Sequence, residues 1–245
     1  MLKNSVVGFF GKLPAHGDFI HRGLPTRCVN LWDEWLQGVI GASREQLGEN
    51  WLDIYLTSPI WRFALSPGVV DEHVWAGMFM PSVDRVGRYF PFSILARAPA
   101  RQPATVVLAD NEPWYDAMEN IALQALDGHL MIDAMAEQIA QCPLDVGEVY
   151  TKSRAASAEG MQQVITLDFE ERMTASVYPY LLDSAFTASS PTYSIWRTRG
   201  SDRVEPCVAT CSGLPPVACV AGMWTGQWQD WQWHAPYQLI PPASV

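Results

Sequence analysis

Basic residues are scarce in this chain of 245 residues, where 16 Lys and Arg stand against 26 Asp and Glu for a formal net charge of −10. A nucleic-acid backbone is held by clustered Lys and Arg, so no nucleic-acid partner is expected. Long apolar runs are missing too, and none reaches the ~20 residues of a membrane-spanning helix. The opening Met1-Leu2-Lys3-Asn4 has no apolar core ahead of a small-residue cleavage site, so no signal peptide is expected. Cysteine is sparse and irregular: Cys28, Cys142, Cys207, Cys211 and Cys219 are odd in number and contain no Cys-x-x-Cys pair. That pattern suits reduced thiols in the cytoplasm better than a disulfide framework. Cys207, Cys211 and Cys219 have only His234 as a nearby fourth ligand, so they read as small buried thiols and not as a zinc site.

Catalytic signatures are missing as well. Gly8-Phe9-Phe10-Gly11-Lys12-Leu13 resembles a phosphate loop but is two residues short of the Walker spacing, and Leu13 stands where Ser or Thr would hold Mg²⁺. His16, Asp18 and His21 could be offered to a metal, yet they lie on an irregular segment without the fixed i, i+4 spacing of a helical site. No Gly-x-Ser-x-Gly surrounds Ser82. No metal, cofactor or catalytic residue is therefore expected, and no internal repeat is visible.

What is present is an apolar, globular composition, with 49% hydrophobic residues, 17% charged residues and 11 Trp. That is long enough for a substantial core and rich enough in Trp to suggest a protein-binding surface. The distinctive stretch is Pro81-Ser82-Val83-Asp84-Arg85-Val86-Gly87-Arg88-Tyr89-Phe90-Pro91. It sets one acid, two Arg and a Ser between the apolar runs 74–80 and 92–96, both of which have the length of buried strands. Pro at each end and Gly87 within predict a stiff connection. On a structural reading Asp84 pairs with Arg85 or Arg88 and caps loop amides. On a binding reading Arg85 and Arg88 face outward to meet an acidic group. A third reading buries both Arg against Asp84 or Asp18.

Along the chain, residues 6–10 form a strand candidate that runs into glycine-dependent turns carrying Lys12, His16 and Asp18. Trp32, Trp35, Leu36, Val39 and Ile40 then mark one face of a helix that Gly41 ends or bends, and Ser43 with Gln46 reads as a capping box for a second. Residues 60–65 alternate as a strand with one wetter face. This strand and the two flanking the central loop are joined too closely for crossover helices, so they should be antiparallel neighbours. Two amphipathic helices follow, one entered at Pro113 and stopped at Gly128, the other ending before Pro143. Residues 145–160 read as a loop, 164–169 as a short strand, 174–188 as a helix, and 193–198 and 206–211 as strands. Leu214-Pro215-Pro216 opens a last helix, and Trp224, Trp228 and Trp231 would stripe another that either docks on the chain's own core or meets a partner.

With these stretches laid out, the chain resembles the TagF (ImpM) family of type VI secretion-associated proteins. The resemblance rests on Gly8-Phe9-Phe10-Gly11-Lys12-Leu13-Pro14, Gly17-Asp18-Phe19, Arg22-Gly23-Leu24-Pro25, Trp32 with Trp35-Leu36, Ser58-Pro59-Ile60-Trp61-Arg62-Phe63, and the whole stretch from Pro81 to Pro91. In the second half it is carried by the order of elements and by Ser194-Ile195-Trp196 and Ser212-Gly213-Leu214-Pro215. It implies a cytoplasmic accessory protein that holds assembly of a contractile secretion machine in check after translation. It also implies a link to the system's forkhead-associated domain protein and to the threonine phosphorylation pathway that activates secretion. The family brings no catalytic residues with it, and this chain has no room for the phosphatase domain that some members carry.

The expected fold is α/β with a mixed, largely antiparallel central sheet, and the resemblance implies a three-layer α/β/α sandwich, in agreement with the order of strands and helices. The expected organisation is one domain over residues 1–245, with a motif-rich half (1–100) and a helical C-terminal half (101–245). The expected activity is non-enzymatic binding of a protein partner through Lys12, His16, Asp18, Arg22, Ser82, Asp84, Arg85 and Arg88. The rival is a small hydrolase using Ser82 with His16 and Asp84 or Asp18.

Overall fold

The computed structural model describes residues 6–98, 102–144 and 177–239. Seven strands form one sheet in the order β2-β1-β5-β4-β3-β6-β7. They are β1 (Val7–Gly11), β2 (Ile20–Arg22), β3 (Trp61–Leu65), β4 (Trp75–Met80), β5 (Phe92–Arg97), β6 (Tyr193–Thr198) and β7 (Cys207–Ser212). Every pairing is antiparallel, so the parallel component that a mixed sheet allows does not occur among the described strands. The strands beside the central loop are neighbours as expected, with Met80 opposite Phe92. Strands from both halves of the chain share the sheet, because β3 pairs with β6.

Alternation along the strands explains why the sheet is covered on both faces. Ala76, Met78, Phe92 and Ile94 enter one apolar cluster together with Val107, Tyr115, Met118 and Met135 of α3 (Ala104–Asp110), α4 (Glu112–Leu126) and α5 (Ile132–Gln141). Phe63, Trp75, Phe79 and Leu95 point the other way. They join Trp32, Trp35, Tyr55 and Trp224 of α1 (Thr26–Leu47), α2 (Trp51–Leu56) and α7 (Val220–Thr225). The chain is therefore mixed α/β, with an all-antiparallel sheet carrying apolar side chains on each face.

Several local expectations are revised. Helix α1 does not stop at Gly41 but continues to Leu47 and turns off at Gly48, whose φ is +53°. Ser43 is no cap: buried in that last stretch, its Oγ donates to the Ile40 carbonyl (3.1 Å) and accepts from Trp51 Nε1 (2.9 Å). Strand β3 has no wet face, since all five residues are buried. Trp224 lies in the last turn of α7, which ends at Thr225 because Gly226 takes φ +72°, and residues 228–231 form a separate short 3₁₀ turn. The Trp stripe still folds onto its own chain, with Trp228 and Trp233 packed on the second cluster and Trp233 Nε1 donating to the Cys219 carbonyl (2.8 Å).

Helix α3 carries no warning in its sequence spacing, since residues 104–108 are buried without a polar face. The expected helix over 174–188 is described from residue 177 as α6 (Tyr178–Ser189). The loop expected at 145–160 and the strand at 164–169 lie outside the described residues. No described helix is long and apolar enough to cross a membrane.

Candidate recognition site

Strand β1 delivers Lys12 to the end of the sheet where the loop 81–91 leaves β4. Gly11 makes that approach possible: its φ is +138°, and a Cβ there would stand 2.1 Å from the Pro91 carbonyl oxygen. Lys12 is 5% exposed and Asp84 3%, and Lys12 Nζ lies 2.9 Å from Asp84 Oδ2. The same oxygen receives Arg88 Nε at 2.6 Å, while Oδ1 accepts the amides of Arg88 (2.8 Å) and Val86 (3.0 Å). Burial alone would raise the Asp84 carboxyl. The Arg88 amide, the Lys12 ammonium, the Arg88 guanidinium and the Val86 amide overcome it and hold the group well below the usual carboxylate range. One carboxylate thus closes the turn from Asp84 to Arg88 and ties it to Lys12 at the end of β1.

The rest of the loop is fastened to the core by backbone contacts. Tyr55 Oη accepts from the Ser82 amide (2.9 Å) and donates to the Ser82 carbonyl (2.8 Å), and Val83 bridges to Tyr89. Phe90 meets Phe10 and Phe19 edge-on, at centroid distances of 6.0 and 4.8 Å. Lys12 Nζ lies 4.7 Å from the Phe19 ring centroid. The expected stiffness therefore has a concrete basis: an inner carboxylate, a buried phenol and an aromatic base.

The three readings of the loop divide between its two arginines. Arg88 does pair with Asp84, and it also donates to the Gly17 carbonyl, yet its side chain stays 54% exposed. Arg85 is exposed. Its amide donates to the His16 carbonyl at 2.8 Å, and its guanidinium has no carboxylate partner among the described residues. Full burial of both arginines is not what occurs. Val86, next to Arg85 in the chain, is 66% exposed, and Phe19, against the Lys12 ammonium, is 40% exposed.

Of the eight residues expected to form one patch, Lys12, His16, Asp18, Ser82, Asp84, Arg85 and Arg88 belong to this loop and the turn facing it. Asp18 is exposed, and its Oδ1 accepts the Phe19 amide at 2.8 Å. Arg22 goes elsewhere: on β2 it reaches Asp133 of α5 at 2.7 Å. Ser82 is 2% exposed, and its hydroxyl donates to the Lys12 carbonyl at 2.7 Å. The His16 imidazole makes no hydrogen bond to Ser82 or Asp84, so these three do not form a hydrogen-bonded relay. Among the described residues, the His, Cys and carboxylate groups that converge closely enough for a metal are Asp71, Glu72 and His73. There Asp71 Oδ1 already accepts from the His73 amide and from Trp75 Nε1.

Sequence reasoning missed a second polar centre. Arg62 of β3 is 1% exposed, and its guanidinium meets Glu119 (2.5 Å), Asp116 (2.6 Å) and Glu112 (2.8 Å) on α4. Arg197, opposite Arg62 on β6, joins Glu112, and Arg199 reaches Asp116 at 2.6 Å. Two arginines facing each other across strands would repel, and the carboxylates spaced i, i+4 and i+7 along α4 offset this. Asp116 is held below its ordinary range chiefly by the hydrogen bond from Arg62. Glu112 is held below its own range because Arg199, Arg197 and Arg62 together outweigh its partial burial. The acidic spacing on one helix face is the signal that could have found this centre.

The family model for the TagF N-terminal domain, described as type VI secretion system-associated, matches residues 8–142. The chain belongs to the TagF family. The matched span runs from β1 through α5, so the Asp84 loop, the Lys12–Asp18 segment and the α4 carboxylates are all parts of the TagF domain, while β6, β7 and α7 follow it. A search of curated proteins returned no match. Among solved structures, the chain is similar to PA0076 from Pseudomonas aeruginosa PAO1. The two share 33% identity over 97% of this chain and 100% of that one, with a TM-score of 0.74.

Proposed function

We propose that this TagF-family protein is a non-enzymatic accessory factor of type VI secretion that represses the machine after translation by occupying a partner protein. The partner we assign is the system's forkhead-associated domain protein, met in the cytoplasm. Arg85 carries this reading: a guanidinium left without a carboxylate among the described residues, at the tip of a loop that Asp84, Tyr55 and Phe90 hold rigid. Rigid presentation lowers the ordering cost of binding, and Arg is enriched at the centres of protein interfaces. The Ser82 hydroxyl, committed to the Lys12 carbonyl and shielded from solvent, is why we favour binding over hydrolysis at this site.

The architecture that presents the tip reads as one domain, a three-layer α/β/α sandwich, because apolar clusters lie on both faces of a sheet that both halves of the chain build. Pull-down of the forkhead-associated protein with the intact chain and with the Arg85→Ala Arg88→Ala variant tests the proposal. Capture should fall sharply in the variant while its circular dichroism is unchanged. Undiminished capture would remove the tip from the interface.

A further inference from the structure

We propose that the tip is a receptor for a single carboxylate, an Asp or Glu side chain of the partner protein, in which Arg85 is the contact residue and Arg88 positions it. This deepens the partner-binding reading above and rests on it.

Charge at the tip is nearly closed within itself. Lys12 and Arg88 both converge on Asp84, and Asp18 is the other acid of the facing turn, so three cations stand against two carboxylates. The excess is one positive charge, and Arg85 carries it. A carboxylate neutralises that excess. A phosphorylated side chain, bearing about −1.5 to −2 near neutral pH, would leave negative charge beside Asp18 on a chain whose formal net charge is already −10. Among the described residues of the tip, the other exposed cation is Arg88, which already directs Nε to Asp84 and Nη2 to the Gly17 carbonyl.

Geometry separates the roles of the two arginines. The amide of Arg85 is tied to the His16 carbonyl, which fixes where its side chain starts. Its guanidinium lies against Gly17, and a Cβ on that glycine would come within 3.2 Å of Arg85 Nη2. Arg88 grips the carbonyl of the same Gly17, so it sets the surface on which the Arg85 fork rests while leaving that fork's donors unspent. Such a planar fork suits two parallel hydrogen bonds to a carboxylate. Val86, next to Arg85 in the chain and exposed, offers apolar contact beside the acid.

The test is calorimetric titration of the purified chain with the forkhead-associated domain protein of the same secretion cluster, before and after that protein is treated with a phosphatase. Affinity should be the same in both arms. Arg85→Ala should weaken binding about thirtyfold, as for an interface hot spot, without moving the melting temperature. Arg85→Lys should restore only part of the loss, because an ammonium cannot form the paired contact. Arg88→Ala should weaken binding and also speed hydrogen exchange at the Val86 amide, a change that Arg85→Ala should not produce. Affinity lost on phosphatase treatment would replace the carboxylate with a phosphate, and full affinity in Arg85→Ala would remove Arg85 as the contact; either result overturns this proposal and leaves the partner standing. If the unaltered chain fails to bind, the forkhead-associated protein is the wrong partner and the proposal falls with it.

Discussion

Replacing Arg62 with Ala removes the hub that ties α4 to β3, and the size of the loss can be worked from the contacts. Arg62 holds Glu119, Asp116 and Glu112, but Arg199 and Arg197 keep hold of Asp116 and Glu112 after the substitution. Glu119 is left worst off: its side chain is 13% exposed, and its remaining cation, Arg199, lies 3.9 Å away. Breaking a buried ion pair by removing one partner costs about 3–5 kcal/mol. Since the other two acids are about 40% exposed, the lower figure applies. A loss of ~3 kcal/mol corresponds to a drop in melting temperature of roughly 6–12 °C for a chain of this size.

The pH dependence adds a second signature. Asp116 and Glu112 have folded pKa values below their unfolded ones. Their contribution to stability is therefore fully present above the unfolded value, near pH 4, and fades as the pH falls through the folded values. Much of the depression at Asp116 comes from Arg62, so the gap between wild type and Arg62→Ala should narrow on acidification from pH 7 to pH 3. Thermal melts followed by circular dichroism at both pH values measure it. A drop under about 2 °C at pH 7, or a gap that does not change with pH, would refute this account of the network.

Asp84→Asn should loosen the tip and lower the melting temperature, because Lys12 is left buried without its carboxylate and Arg88 loses its charged partner; exchange at the Val86 and Arg88 amides reads the loosening directly, and unchanged protection would count against Asp84 as the clamp. Gly11→Ala should cost more than about 4 kcal/mol, since the new Cβ cannot coexist with the Pro91 carbonyl and φ is positive; a folded variant of wild-type stability would show that β1 and β5 can separate freely. Burial pushes the thiol of Cys28 up to about 12 and those of Cys207 and Cys211 up to about 11. At pH 8 the buried Cys28 and the half-buried Cys207 and Cys211 should label slowly with a thiol reagent until the chain is unfolded, and rapid labelling of the native protein would contradict their raised pKa values.

Much of this was legible because periodicity reports burial. The stripe from Trp32 to Ile40 and the short connections between β3, β4 and β5 are local signals, and each led to the observed helix or pairing. The tip was legible only in part. Two arginines around one acid announced a constrained loop, but which arginine pairs depends on where β1 delivers Lys12, a contact spanning 72 residues. Ser43 misled because a buried hydroxyl satisfied within its helix looks in sequence like a cap. Arg62 misled for a related reason: alternation predicts an outward face, and only the facing helix shows that the outward neighbour is a row of acids.

We propose that the exposed Arg85 engages a partner whose occupation restrains secretion. Secretion by cells carrying Arg85→Ala in place of the native chain, at matched protein levels, is the decisive measurement. Release of the secreted proteins should rise as far as it does when the whole gene is deleted. Secretion that remains repressed, with the variant folded and present at the normal level, would contradict the claim.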